Sequence, residues 1–185
     1  MSSCEVLERV APVEPCASVE AVFKAAMRKV PSAVTIVTSR DDEGQPHGMA
    51  ASAVISVSMS PPTLLVAINR GAGLNPVAKA TKRLCVNFLS QEQQPLLTPF
   101  SRSELKHQRF ESDGWQNVQG NPEGRLPWHA QASAVAFAEV ETAIEHATHT
   151  LFLARVLDVV LPTGDDAQRL PMVWLAGQCV SLSPT

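Results

Sequence analysis

Alternation of apolar and polar positions, the mark of a strand with one buried face, recurs along this chain far more often than helical spacing. Ala134 to His146 and His149 to Leu161 read as two long strands joined by a tight turn at Ala147-Thr148. Thr63-Leu-Leu-Val-Ala-Ile-Asn69 is apolar on both faces, as a central strand would be. Ala33 to Ser39, Leu84 to Ser90 and a last strand within Leu170 to Val180 complete the set, with a turn at Asp41-Asp-Glu-Gly44. Helical spacing is clear once: Val22, Phe23, Ala26, Met27 and Val30 share one face of a packed helix predicted from Val19 to about Val30. Ser18 caps it, Glu20 favours its positive end, and Pro31 stops it. A shorter helix is expected over Asn75 to Lys82, with Asn75 as cap and Pro76 at the first position. Gln91 to Leu105 reads as partly helical, broken around Thr98-Pro99. Residues 106–130, rich in Gly and Pro, read as an irregular segment anchored by Trp115 and Trp128. Six or seven strands with few helices and hairpin-type links predict a mainly β fold, a closed antiparallel barrel rather than a βαβ sheet.

One strand is unusual. It begins near His47 and runs through Met49-Ala-Ala-Ser-Ala-Val-Ile-Ser-Val-Ser-Met-Ser to Pro61-Pro62. One face reads Ala51, Ala53, Ile55, Val57, Met59; the other reads Ser52, Val54, Ser56, Ser58, Ser60. A solvated face usually carries charge, so a charge-free serine row admits two readings. It is an ordinary half-buried strand, or hydroxyls and nearby N–H groups line a site for a phosphate- and sugar-bearing cofactor.

Size and charge narrow the field. The chain's 185 residues suit one domain, expected over residues 18–185, behind a flexible arm over residues 1–17 that holds Pro12 and Pro15. With 45% hydrophobic and 18% charged residues, much surface is buried and a subunit interface is expected. The net charge of −3 with scattered basic residues gives no footprint for nucleic acid. No apolar run approaches a membrane span, and Met-Ser-Ser-Cys-Glu-Val-Leu-Glu-Arg is no secretion signal, so a cytoplasmic location is expected. Cys4, Cys16, Cys85 and Cys179 form no Cys-x-x-Cys, and Cys85 reads as a small buried hydrophobe. No phosphate loop, no G-x-G-x-x-G after a strand and no G-x-S-x-G is present. His146 and His149 form an H-x-x-H in strand context with no third ligand evident, so no metal is expected.

Ordered segments carry a resemblance that decides between the two readings. They are Phe23-Lys-Ala-Ala-Met-Arg-Lys-Val-Pro-Ser-Ala-Val-Thr-Ile-Val-Thr, the stretch from Gly44 through the serine row to Pro62, Leu65-Val-Ala-Ile-Asn-Arg, Cys85-Val-Asn-Phe-Leu-Ser, Phe100-Ser and His149-Thr-Leu-Phe-Leu-Ala-Arg-Val. Together these resemble the flavin reductase-like, FMN-binding split-barrel family, whose best-known members are the small reductase components of two-component flavin-dependent monooxygenases. The resemblance implies a Greek-key-like antiparallel split barrel, a homodimer, FMN or FAD bound near the subunit interface, and NAD(P)H as co-substrate. It implies flavin contacts from Met49, Ala50, Ala51 and Ser52 and from Ser56, Val57 and Ser58, with phosphate held near Asn69 and Arg70. Arg70 suits that role because a guanidinium grips phosphate with two donors. Phe100 falls where the family closes over the flavin, and His149 where a histidine lies beside the flavin ring and the nicotinamide. The implied activity is NAD(P)H:flavin oxidoreduction that supplies reduced flavin to a partner monooxygenase.

The chain departs from the family pattern in three places. Ala147-Thr148 stands where the family often has Gly-Asp, Ala154 where it often has glycine, and Trp174 where it often has tyrosine. A carboxylate that could orient His149 is therefore absent. These departures keep two alternatives open: a flavin-binding carrier or regulator with little reductase activity, and a flavoprotein acting directly on a small organic substrate.

Overall fold

The computed structural model describes residues 18–120, 123–163 and 169–183; the expected arm over residues 1–17 lies outside them. The core elements are β2 (Thr35–Arg40), β3 (Pro46–Ala51), β4 (Val54–Met59), β5 (Pro62–Asn69), β6 (Arg83–Phe88), β9 (Ala134–His146) and β10 (His149–Val160). They form one antiparallel sheet in the order β3-β2-β6-β9-β10-β5-β4. Its first and last strands, β3 and β4, follow each other in the chain with only Ser52 and Ala53 between them. The link from Ala51 to Val54 spans at most about 11 Å, so the sheet must curl until its ends meet. One apolar cluster accordingly draws on every strand: Val37, Val54, Leu64, Val66, Ile68, Leu84, Val86, Ala136, Ala138, Val140, Phe152 and Ala154 are buried, with Met49 and Ala51 packed against them.

The long β9–β10 hairpin matches the sequence expectation, turning at Ala147-Thr148. The helix α2 (Leu74–Thr81) plugs one end of the barrel through Leu74 and Ala78. Its cap is Gly73, not Asn75. Asn75 instead points inward, where its Nδ2 donates to the Ile68 carbonyl and to Thr150 Oγ1, both at 3.1 Å.

Three further expectations change. The serine row is not one strand: it bends at Ser52-Ala53, so the phase of the alternation shifts there. Val54 faces the core, whereas Ile55, Val57 and Met59 are 60%, 53% and 79% exposed. Helix α1 (Val19–Met27) is capped by Ser18 as expected but buries no side chain, and Phe23 is 62% exposed. The segment near the C-terminus is a hairpin of β11 (Val173–Leu175) and β12 (Gln178–Val180), with β11 pairing with β1 (Ser32–Ala33). Ala176 and Gly177 turn it with φ of 55° and 91°. Arg28 clamps its tip, donating from Nη2 to the Ala176 carbonyl and accepting the Ala176 N–H on its own carbonyl.

Residues 91–120 and 123–130 form a strap on the barrel's outside. It comprises a 3-10 turn (Gln91–Leu96), the short helix α3 (Leu97–Ser101), another 3-10 turn (Ser103–Gln108) and the ribbon β7 (Trp115–Gln116) with β8 (Trp128–His129). The helical break falls at extended Arg102 rather than at Thr98-Pro99. Trp115 is buried as an anchor, in ring contact with Phe100 and Phe110 at 5.2 and 4.9 Å between centroids.

Candidate functional site

A cavity of about 620 Å³ opens where β3 ends, between the strap and the β11–β12 hairpin. Val34, Ala50, Ala51 and Ser52 make its floor. Gln94, Pro95, Leu97, Thr98, Ser101 and Arg102 make one wall, and Trp174 faces them. The floor is held by Thr35, whose Oγ1 donates to the Ala51 carbonyl at 2.7 Å. Among the described residues β3 pairs only with β2, so alternate backbone groups along its other edge have no strand partner there and can meet a ligand.

The wall stands close to β3 because Gly48 has no side chain. A Cβ there would lie 2.7 Å from Phe100 Cε1. Arg109 locks the contact, donating from Nη1 to the Gly48 carbonyl at 2.7 Å and from Nε to the Pro99 carbonyl at 2.9 Å. At the other end of the wall, Gln93 accepts the Ser90 N–H at 3.0 Å and donates to His129 Nδ1 at 2.8 Å.

Asn69, Arg70 and His149 form a second group at the β9–β10 turn. Asn69 pairs with His149 in register. The Arg70 N–H donates to the Thr148 carbonyl at 2.9 Å, and its Nη1 to the Ala147 carbonyl at 3.2 Å. Arg70 also lies 3.9 Å from Glu145, which pairs with Lys79. Hydrogen bonding from Lys79, then the charges of Lys79 and Arg70, hold the Glu145 carboxyl below its ordinary range. Because the Ala53 carbonyl accepts from the Ala67 N–H, His149 sits two strand spacings from the β3–β4 link, about 10 Å across the sheet.

The expected contacts thus fall into separate places. Ala50, Ala51 and Ser52 line the cavity, while Met49 packs on the barrel core. Ser56 and Ser58 line a different groove of about 230 Å³ with Leu64, Phe88 and Val156, and Val57 lies on the outer sheet face. Phe100, only 3% exposed, lies beneath the wall rather than along the cavity. Gln94, Thr98, Ser101 and Arg102 were not among the expected contacts. The usable signal was the three-residue spacing of Thr98 and Ser101, which one helical turn brings to one side.

Comparison with known proteins decides the family: residues 27–183 match the model of the flavin reductase like domain. The chain belongs to the flavin reductase-like family. A relative named FMN reductase (NADH) RutF, from Cronobacter sakazakii, is 36% identical over 168 residues, covering 90% of this chain and 95% of that protein. The reductase component of the FADH(2)-dependent resorcinol hydroxylase of a Rhizobium species is 34% identical over 136 residues, covering 73% of this chain and 74% of that protein. Among solved structures, the NADH:FAD oxidoreductase SgcE6 of Streptomyces globisporus, in complex with NAD and FAD fragments, superposes with a TM-score of 0.77 at 25% identity. That match covers 90% of this chain and 94% of the other. The flavin reductase PheA2 gives 0.71 at 29% identity, covering 88% and 97%.

The residues of this family member fit a flavin. The cavity volume lies within the usual range for a cofactor site, its floor is apolar but for Ser52, and Trp174 offers a flat face for a planar ring. Arg102 and the hydroxyls of Thr98 and Ser101 offer donors for a phosphate at the rim. Titratable groups deeper in this flavin reductase-like fold are structural. His129 is buried, and burial lowers its pKa from the ordinary value, outweighing the bond to the Asp113 carbonyl that raises it; the charge of Arg169 adds a smaller lowering. Cys85 is fully buried in β6, and burial pushes its thiol up to about 12. Among the described residues no group of three or more His, Cys, Asp or Glu side chains is arranged to hold a metal ion. No helix among them is long and apolar enough to cross a membrane.

Proposed function

We propose that this protein is a reductase that takes hydride from NADH, or NADPH, delivers it to FMN or FAD, and passes the reduced flavin to a separate monooxygenase. The observation that carries this reading is the cavity at the end of β3, built in a chain of the flavin reductase-like family. The names of its relatives support the choice of NADH and FMN.

Bound flavin would supply the hydride-accepting ring and the nicotinamide nucleotide the hydride. The chain's own residues bind and orient. Ala50, Ala51 and Ser52 would line the ring, and the backbone groups along the unpaired edge of β3 would hold the ring edge on which negative charge develops. Trp174 closes the opposite side and excludes water from the apolar floor. Arg102, Thr98 and Ser101 hold the phosphate end from the strap, with Arg70 available at the neighbouring turn. His149 positions the nicotinamide.

The active form is a homodimer. Ile55, Leu65 and Leu153 line up in register across β4, β5 and β10 on the outer face. With Val57 and Met59 they leave an apolar surface that a lone barrel exposes. The open face of α1 supports the same arrangement, since none of its apolar side chains is buried among the described residues. Sedimentation of wild type against Ile55→Lys tests it, a monomer in the variant and a dimer in wild type being the expected result.

The reading itself is tested by following NADH and NADPH oxidation with and without added FMN or FAD. Turnover that requires added flavin supports it. A yellow, flavin-loaded protein without turnover rejects it and leaves a carrier or a flavoprotein acting directly on an organic substrate.

A further inference from the structure

We infer that the Thr148 hydroxyl is the positioning group for the His149 imidazole, and so sets how readily this chain engages the nicotinamide half of its hydride donor. The inference rests on the reductase reading above. Thr148 Oγ1 lies 2.9 Å from His149 Nδ1. The hydroxyl stands on a fixed base: the turn that carries it gives its Ala147 and Thr148 carbonyls to Arg70, and Ala147 is held at a φ of 47°. His149 in turn has its backbone set between Asn69 of β5 and His146 of β9, so only its side-chain torsions remain to be chosen. The ring is exposed, and without a partner it would sample several rotamers.

The neighbouring charges do not take over this task. Across the hairpin the groups nearest the ring's end of the sheet are His146, Asn69, Arg70 and Glu145. Glu145 is engaged by Lys79 and Arg70. Asn69 Oδ1 accepts the Gly71 N–H at 2.8 Å. The hydroxyl is the group that meets the imidazole, and holding Nδ1 leaves Nε2 as the ring nitrogen free to meet a carboxamide. The uncharged hydroxyl holds the ring without adding negative charge beside the incoming nucleotide.

The test compares Thr148→Val, which keeps the shape and removes the hydroxyl, with Thr148→Ser, which restores it, in wild-type and His149→Ala backgrounds. Thr148→Val is expected to raise the KM for NADH about three- to tenfold, the worth of one hydrogen bond. The flavin Kd and the melting temperature should stay unchanged, and Thr148→Ser should return KM toward wild type. In the His149→Ala background the same change should have no further effect. An unchanged KM in Thr148→Val, or an equal effect without the histidine, overturns the inference. If the wild type oxidises no NADH at all, the reductase reading falls by itself. The Thr148–His149 contact is then read from the nitrogen NMR shift of the His149 ring, and a shift identical in wild type and Thr148→Val overturns it independently of turnover.

Discussion

Inside the barrel, Phe152, Ile68, Val66 and Leu84 are fully buried among hydrocarbon, with Asn75 of α2 and Thr150 of β10 as a polar pair. On the outside, the strap hangs on polar side chains that reach for backbone. Arg40, 1% exposed, donates to the carbonyls of Gly44, Asn117, Val118 and Gly120. Asn87 accepts the His129 N–H at 2.8 Å, and Arg109 ties α3 to β3. Burial of apolar area is nondirectional and tolerates small shifts, whereas a buried cation on four carbonyls fixes one loop path and penalises every other. The barrel supplies the platform; the strap supplies one wall of the candidate site and its exact height above β3.

The largest effect should come from the barrel. Phe152→Ala should cost about 4 kcal/mol and lower the urea midpoint of the whole molecule in a single transition. Arg40→Met should cost about 3 kcal/mol by stranding strap carbonyls, and limited proteolysis should cut near residues 117–120 before the barrel opens. Cleavage coinciding with global unfolding would erase the distinction between the two regions.

Much of this contrast follows from what a sequence can display. The β9–β10 hairpin was legible to within a residue because long alternating runs flank a two-residue turn. The serine strand was legible as a strand but not in phase, since the bend at Ser52-Ala53 resets which side faces inward. The amphipathic face of α1 reports burial without saying against what. The short strands of the β11–β12 hairpin merged into one because Ala176 gives no turn signal, although its φ is positive. Of the site, Ala50 to Ser52 came from resemblance, while Arg102 and Thr98 belong to an irregular segment whose course is set by Arg40, Arg109 and His129. Such side chain-to-carbonyl anchors have no period.

Smaller perturbations sharpen the comparison. Gly48→Ala should push Phe100 and α3 away from β3, costing about 2 kcal/mol and weakening flavin binding as read by fluorescence quenching. Unchanged flavin affinity would mean that α3 is not a wall of the site. The least effect should come from pH. The His129 pKa is lowered in the folded state, so the unfolded chain binds more protons as pH falls below about 6.5. The stabilisation is fully present above that value and declines below it. Urea midpoints between pH 8 and pH 5 should therefore fall less steeply for His129→Gln than for wild type.

The thiol of Cys85 gives the strap a clock. Only a thiolate reacts readily with alkylating reagents, and a group that burial pushes to about 12 is almost never one. Cys85 faces out of the barrel and packs with Leu126, Ala132, Val135 and Phe137, so its alkylation must wait for the strap to lift from β6 and β9. The labelling rate of the Cys85 peptide thus counts excursions of the strap, through which the barrel beneath can stay whole.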